Sequence, residues 1–516
     1  MPDRHASTPL VPASVAAPSS RPEPTLAALA DSLPPESFEV RGEPDIAIRG
    51  LAYRSSDVRA GSLFFCVPGE RADGHDFAGA AAQAGAVALV AERWLDVEGP
   101  TQIRVPSVRN AMGPMSSAFY GRPSQSLSMI GVTGTNGKTT TTYLLEGVLR
   151  RSGAVPGVIG TTGVRIDGVA EPFDRTTPEA PDLQRLLARM VDRGVGGVAM
   201  EVSSHGLAQH RVDGTLFGCA VFTNLSQDHL DFHGTMEEYL AAKARLFTPD
   251  LALRGVMNVD DPAGRAVAAA APIPVSTFGL AEDADVRATD VEVGPGGVAF
   301  RVGNLDIRSS LRGPFNVSNC LAAVAAARAI GIDDASIADG IAETSLVPGR
   351  LEPVDAGQSF GVFVDYAHTA DSLENVLRAA RALTAGRVLV AFGCGGDRDR
   401  GKRPLMGEAA TSAADFAVVT SDNPRREDPL AIIEQIVPGA RRGGGAFVVE
   451  PDRRAAIRLA IAQARPGDVV IIAGKGHESG QEFADRTDPF DDRIVAREEL
   501  RALMTGEAGG GEGPPG

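Results

Sequence analysis

The sequence is poor in aromatic residues, 5% of 516 with a single Trp, and holds only four cysteines. Cys66, Cys219, Cys320 and Cys394 lie far apart and form no CxxC pair, which excludes a disulfide scaffold and cysteine-based zinc sites. Buried, reduced and inert thiols of a cytoplasmic protein are expected instead. No stretch approaches the ~18 to 20 uninterrupted apolar residues of a membrane-spanning helix, so no membrane insertion is expected. Positive charge is also lacking. The formal net charge of −16 gives no electrostatic support for wrapping nucleic acid or lying on an anionic membrane. Small-molecule substrates are therefore expected, and the protein is expected to act as a monomer.

What is present is 43% hydrophobic residues and 59 glycines, the composition of many short strands and Ala-rich helices. An α/β protein fits, and at about 150 residues per domain the length suggests three. Residues 1–35, rich in Pro, Ser and Ala, lack both the basic start and the apolar core of a signal peptide, and are expected as a disordered tail. Residues 505–516, mostly Gly, Glu and Pro, are expected as another. Between them, residues 36–126 suggest a first small α/β domain with the apolar run Leu63-Phe64-Phe65-Cys66-Val67. Residues 127–348 form a central domain that ends at Pro348-Gly349. Residues 349–504 carry apolar strands at Phe360–Val364, Val388–Phe392, Phe416–Val419 and Val469–Ile472 alternating with helices, the pattern of a Rossmann-like parallel sheet.

Chemistry starts at Gly134-Thr135-Asn136-Gly137-Lys138-Thr139-Thr140. A strand (Met129, Ile130, Val132) runs into this segment and an apolar-periodic helix (Tyr143, Leu144, Val148) leaves it. Backbone N–H groups at such a turn and helix start attract phosphate, Lys138 adds a full charge, and the Thr139 hydroxyl suits magnesium. The common GxxxxGK pattern fails, because it needs glycine where the chain has Val132. The loop is a shorter P-loop type.

A second strand, Val195–Met200, ends in Glu201-Val202-Ser203-Ser204-His205 and places an acid where it can hold magnesium. A third, Cys219–Thr223, leads into Asn224, Asp228, His229, Asp231 and His233. Without a cysteine partner this set suits oxygen-preferring magnesium better than zinc, and Asp231 and His233 could simply cap the next helix. In that helix Met236, Tyr239, Leu240, Leu246 and Phe247 define a buried face. Lys243 lies on the same stripe, so it must snorkel, pair or be chemically changed.

These segments resemble the Mur ligases of peptidoglycan synthesis, most closely the diaminopimelate-adding type. The matching runs are Gly134–Thr140, Glu201–Gly206, Gln209–Val212, Phe222–Leu225, Asp228–Asp231, Gly313–Asn316, Pro348–Arg350, Asp365–His368 and Asp422–Arg425. The resemblance implies an ATP-dependent amide ligase that adds meso-2,6-diaminopimelate to UDP-N-acetylmuramoyl-L-alanyl-D-glutamate through an acyl phosphate. It implies ATP on Gly134, Thr135, Asn136, Gly137, Lys138, Thr139 and Thr140, with Asn316, Arg350 and Asp365 near the rest of the nucleotide. Magnesium is implied at Thr139, Glu201, His229 and a carbamylated Lys243, with Lys138, Glu201, His229 and Lys243 as the catalytic set. The UDP-muramoyl substrate is implied at Tyr53, Ser55, Arg175, Thr176, Thr177, Ser203, Gln209 and Arg211. The first-domain motif departs from the family's Asp-Ser-Arg, since it reads Arg54-Ser55-Ser56 and keeps only the central Ser. Diaminopimelate is implied at Arg398, Asp422, Asn423, Pro424, Arg425, Gly474 and Glu478. Its distal carboxylate, absent from lysine, calls for a guanidinium fork such as Arg398 and Arg425 could supply.

Within the same class, a lysine-adding or folylpolyglutamate-type ligase is the alternative. Arg425 argues against the first, and the Gln209-His210-Arg211 run against the second. From another class, a nucleotide switch or motor or a silent binding protein would share the loop. The intact Glu201, His229 and Lys243 set favours catalysis.

Overall fold

The computed structural model describes residues 23–69, 72–171, 173 and 175–505. Three α/β domains follow one another along the chain. The first is a five-stranded sheet in the order Glu39–Arg41, Thr101–Arg104, Ala86–Ala91, Ser62–Phe65, Gly50–Ala52, antiparallel at its first pair and parallel elsewhere.

The start of this domain corrects the expected tail. Thr25 caps a helix at Leu26–Ala30 by accepting from the Ala28 N–H, and Leu26 and Leu29 are buried in the same core as Met112 and Met115. The Ile48 N–H donates to the Pro24 carbonyl at 2.9 Å. Averaged over 35 residues, Pro, Ser and Ala hide one short turn whose leucines are enough to anchor it. The rest of that expected tail, residues 1–22, and residues 506–516 lie outside the described residues, while Thr505 closes the helix Asp492–Thr505.

The central sheet has nine strands in the order Val286–Arg287, Val275–Gly279, Gly255–Asn258, Cys219–Phe222, Ser128–Thr133, Gly197–Glu201, Pro156–Gly160, Gly163–Ile166, Val169–Glu171. All pairs are parallel except the last two. The strand Ser128–Thr133 sits between strands that come later in sequence on both sides, so the chain reverses its direction of travel there. Ligand crevices of open parallel sheets form at such a point. Register does the positioning: Glu201 pairs with Val132 and Phe222 with Thr133, so three strand ends arrive level with the phosphate loop. Val132, Val221 and Ala199 pack on one face of the sheet with Leu144 and Val148 of the loop helix Lys138–Arg151.

A three-stranded antiparallel sheet, Thr289–Gly294, Gly297–Val302 and Leu305–Ser309, completes the central domain. The third domain is a six-stranded sheet in the order Glu352–Pro353, Gly361–Asp365, Val469–Ala473, Val388–Phe392, Phe416–Val419, Ala446–Val449. The four apolar strands expected from sequence are its centre. The two edges escaped notice because one is only two residues long and the other follows three glycines. All four cysteines are buried and unpaired, and burial pushes the Cys66 thiol up to about 12. Among the described residues no helix is long and apolar enough to cross a membrane.

Leu26→Ala tests the corrected N-terminus. A fully buried leucine there predicts a loss of about 2–5 kcal/mol, read as a lowered denaturant midpoint, whereas a disordered segment would lose nothing.

Candidate active site

The phosphate loop is shaped by what lies beneath it. Gly134 (φ 146°) and Gly137 (φ 87°) have backbone angles that side chains disfavour, and space forbids a Cβ as well. One on Gly134 would lie 1.9 Å from Thr223 Oγ1, and one on Gly137 2.4 Å from Asn319 Oδ1. Thr223 and Asn224, at the end of the neighbouring strand, hold the loop open. Thr223 Oγ1 donates to the Asn136 carbonyl at 2.6 Å, and the Asn136 N–H donates to Asn224 Oδ1 at 2.8 Å.

Two lysines converge on this loop. Lys138 Nζ donates to the Gly134 and Thr135 carbonyls at 3.0 and 2.8 Å, and Lys243 Nζ donates to the same Gly134 oxygen at 2.7 Å. Lys243 is 1% exposed, with its amine 4.3 Å from the Tyr239 ring centre. Burial, and then the charge of Lys138, hold its amine well below the ordinary lysine range. Lys138 is lowered too, chiefly by burial.

Glu201 stands at the tip of its strand, buried, with Oε1 accepting from the Thr161 N–H at 2.9 Å and Oε2 from the Thr161 hydroxyl at 3.0 Å. Burial pulls His229 down to about 2, so its imidazole is neutral and free to act as a donor atom. Beside it Asp228 bridges two domains. Burial would raise its carboxyl, but the Lys402 ammonium at 3.3 Å and the hydrogen bond from His368 at 3.4 Å hold it well below the carboxylate range. The remaining pair of the expected cluster plays other parts. His233 Nε2 contacts Ser204 Oγ at 2.9 Å in a buried position, Asp231 is exposed, and the next helix is capped by Thr235 and not by either of them. Among the described residues no group of three or more His, Cys, Asp or Glu side chains is gathered as a metal site.

Loop, acid and imidazole open into one cleft of about 770 Å³ between the central and third domains, lined also by Arg175, Thr176, Thr177, Ser203, Gln209 and Arg211. The three arginines Arg175, Arg211 and Arg109 surround the Glu179 carboxylate at 2.6, 3.1 and 3.5 Å. That carboxylate organises the basic wall and was not singled out from sequence. Tyr53 and Ser55 stand outside the cleft lining. Tyr53 instead donates its hydroxyl to Asp182 at 2.6 Å and so joins the first domain to the central one.

Third-domain residues form the opposite wall. Arg398, Asp422, Asn423, Arg425, Gly474 and Glu478 all line the cleft. Pro424 does not, but its carbonyl lies 1.9 Å from where a Cβ on Gly396 would stand. Arg425 and Arg398 flank one glycine, with their Nη1 and Cγ atoms 2.9 and 3.8 Å from a Cβ built on Gly395. Asn423 Nδ2 donates to Glu478 at 2.7 Å. Lys475, fully buried and not singled out from sequence, donates to Asn423 Oδ1 and Glu478 Oε2 at 2.9 and 3.3 Å.

The expected nucleotide residues divide. Arg350 reaches Thr139 Oγ1 at 3.0 Å and, with Asn316 and Thr140, lines a small pocket beside the loop. Asp365 lines neither space. Its oxygens accept from the Leu351 and Ala367 N–H groups at 2.7 and 2.8 Å, which holds Leu351 at φ 40° and so aims Arg350.

These features define a three-domain α/β protein built around a phosphate-binding loop, with basic and acidic walls facing one cleft. Comparison with known proteins agrees along most of the chain. Residues 47–120 match the model described as Mur ligase family, catalytic domain, residues 132–327 the Mur ligase middle domain, and residues 349–476 the Mur ligase, glutamate ligase domain. The chain is 52% identical over 470 residues to UDP-N-acetylmuramoyl-L-alanyl-D-glutamate--2,6-diaminopimelate ligase of Geobacillus thermodenitrificans, covering 88% of this chain and 95% of that one. It is 49% identical over 475 residues to the protein of the same name from Streptomyces avermitilis, covering 89% and 94%. A solved structure with that name superposes with a TM-score of 0.66 at 34% identity over 93% of this chain and 99% of that one. The chain belongs to the Mur ligase family.

Gly137→Ala forces a strained φ and a collision with Asn319. A fall in ATP affinity of at least about tenfold, ~1.4 kcal/mol, is the expected result by fluorescent-nucleotide titration, with the circular dichroism spectrum unchanged.

Proposed function

We propose that this chain is an ATP-dependent amide ligase that joins meso-2,6-diaminopimelate to UDP-N-acetylmuramoyl-L-alanyl-D-glutamate in the cytoplasm. The observation that carries the reading is the cleft itself. It sets a phosphate loop and a basic wall against third-domain arginines suited to a carboxylate, in a chain about half identical to two ligases of that name.

A carboxylate does not acylate an amine unaided, because its oxygen leaves poorly. The γ-carboxylate of the D-glutamyl residue attacks the γ-phosphorus of ATP, and the bond from that phosphorus to ADP breaks. The diaminopimelate amine then attacks the acyl carbon, loses a proton, and inorganic phosphate departs with the electron pair. Lys138 turns from the Gly134 and Thr135 carbonyls to the transferring phosphoryl group, where its charge offsets the developing negative charge. Arg350 crosses from the third domain to Thr139, and His477 of that domain lies 3.2 Å from the Thr161 carbonyl. Contacts of this kind close the cleft and keep water from the acyl phosphate.

Thr139, Glu201 and His229 suit magnesium as a hydroxyl, a carboxylate and a neutral imidazole. These three side chains would hold the ion beside the phosphate loop. When bound it supplies charge that offsets the phosphoryl oxygens. Lys243 as a plain amine donates to a carbonyl and is no metal ligand. Burial lowers its amine well below the ordinary lysine range and so favours the unprotonated form that adds carbon dioxide, and the carbamate so made is a hard oxygen donor.

Two measurements test this reading. With oxygen-18 in the acceptor carboxylate, label should appear in the released phosphate, and its absence rules out the acyl phosphate. Turnover with L-lysine should fall on the order of ten-thousandfold below that with meso-diaminopimelate, because the arginines are left without their carboxylate. Equal use of both amino acids would point to the lysine-adding alternative. The modified lysine has its own check: carbon-13 NMR with labelled bicarbonate should show a carbamate signal in the native protein that vanishes in Lys243→Ala.

A further inference from the structure

Arg403 is among the largest fully buried side chains of the molecule, yet it lines neither the cleft nor the pocket beside the loop. It is the second residue of the helix Lys402–Ala413. Its Nη1 and Nη2 form a fork on the two Glu427 oxygens at 3.0 and 2.8 Å, and the same nitrogens reach Gln435 Oε1 at 2.9 Å and the Gly395 carbonyl at 3.2 Å. Glu427 Oε1 also accepts the Asp397 N–H at 2.6 Å. Arg400 adds a second cation to the same carboxylate at 3.2 Å. Bonding to Arg403, against a smaller burial penalty, pulls Glu427 down to about 2.

One guanidinium and one carboxylate thus tie together two loops that are distant in sequence. The loop after Val388–Phe392 supplies the Gly395 carbonyl and the Asp397 N–H, and it carries Arg398. The loop after Phe416–Val419 ends at Glu427 and carries Arg425. Between them the backbones touch: the Gly396 N–H donates to the Asn423 carbonyl at 2.9 Å, and Arg425 Nη1 donates to the Gly396 carbonyl at 2.9 Å. Glycine at 396 is required for this approach to the Pro424 carbonyl.

A buried ion pair is weak evidence of stabilisation, since apolar groups of the same volume often stabilise as well. A bidentate fork offers direction, because it fixes both the distance and the plane of its partners. We infer that Arg403 and Glu427 are positioning residues that set the spacing of Arg398 and Arg425, and through it the selection of an amino acid with a distal carboxylate. This rests on the proposed diaminopimelate reading of the third-domain wall.

Glu427→Gln keeps the size of the side chain but loses the charge, and its amide nitrogen must face a donor. In the full chain the KM for meso-diaminopimelate should rise about tenfold or more, while the KM values for ATP and the UDP-muramoyl dipeptide stay within about twofold. The kcat/KM preference over L-lysine should fall with it. Glu427→Asp, which keeps the charge with a shorter reach, should recover part of that preference and gives the same readout in a milder variant. A uniform rise in all three KM values, or an unchanged preference in the folded variants, overturns the inference and assigns the pair a merely structural role. The underlying reading fails separately, if the unaltered chain itself does not prefer meso-diaminopimelate.

Discussion

A single carbonyl oxygen, that of Gly134, accepts from the side-chain amines of both Lys138 and Lys243. Charging both amines at once on one neutral acceptor is unfavourable on electrostatic grounds, and both are driven below the ordinary range. A site can relieve this repulsion by admitting an anion, by releasing a proton, or by turning one amine into an acid. The proposed chemistry uses all three, with phosphate bound by Lys138 and a carbamate formed on the deprotonated Lys243. The sheet exists to impose this crowding. Parallel register brings the ends of three strands level, and the glycine-only approach to Thr223 leaves the loop nowhere else to lie.

The loop order itself could be read from the chain, because phosphate binding forces glycine, lysine and hydroxyl into adjacent places on a strand-to-helix turn. Glu201 was legible for a related reason: an acid closing an apolar strand has to face a ligand or a partner. Lys243 stood out as a cation on an apolar stripe. Each signal was local, carried by neighbours within one or two turns of chain.

Long-range pairings left no such trace. The buried Arg403 with the half-buried Glu427, and the fully buried Arg453 with Asp492, are ion pairs whose members sit on different elements. In the sequence each looks like an ordinary surface charge beside a helix start. Asp365 illustrates the converse. Its segment is recognisable, yet its carboxylate is spent on two backbone N–H groups that set the angle of Arg350, so the motif marks the right place while the side chain acts at one remove. Tyr53, placed at the substrate by resemblance, instead bonds across a domain boundary. Composition misled at the N-terminus, where a window average dilutes the one hydrophobic turn that docks.

The distribution of labour among the domains follows from these constraints. Groups proposed to handle phosphate are fixed by central-domain strand ends, where register tolerates no shift without turning side chains to the other face. Groups proposed to choose the amino acid sit on third-domain loops beyond the strand ends, where Arg425 has only an isolated bridge to Phe483. Directional bonds from two buried cations also hold these loops. Lys475 bonds both Asn423 and Glu478, while the Arg403 and Glu427 fork joins the loops that bear Arg398 and Arg425. Loops pinned by a few directional bonds can alter their selection by changing one pair, leaving the phosphate chemistry untouched. Such a separation allows one architecture to serve ligases that share an activation step and differ in the amine they accept.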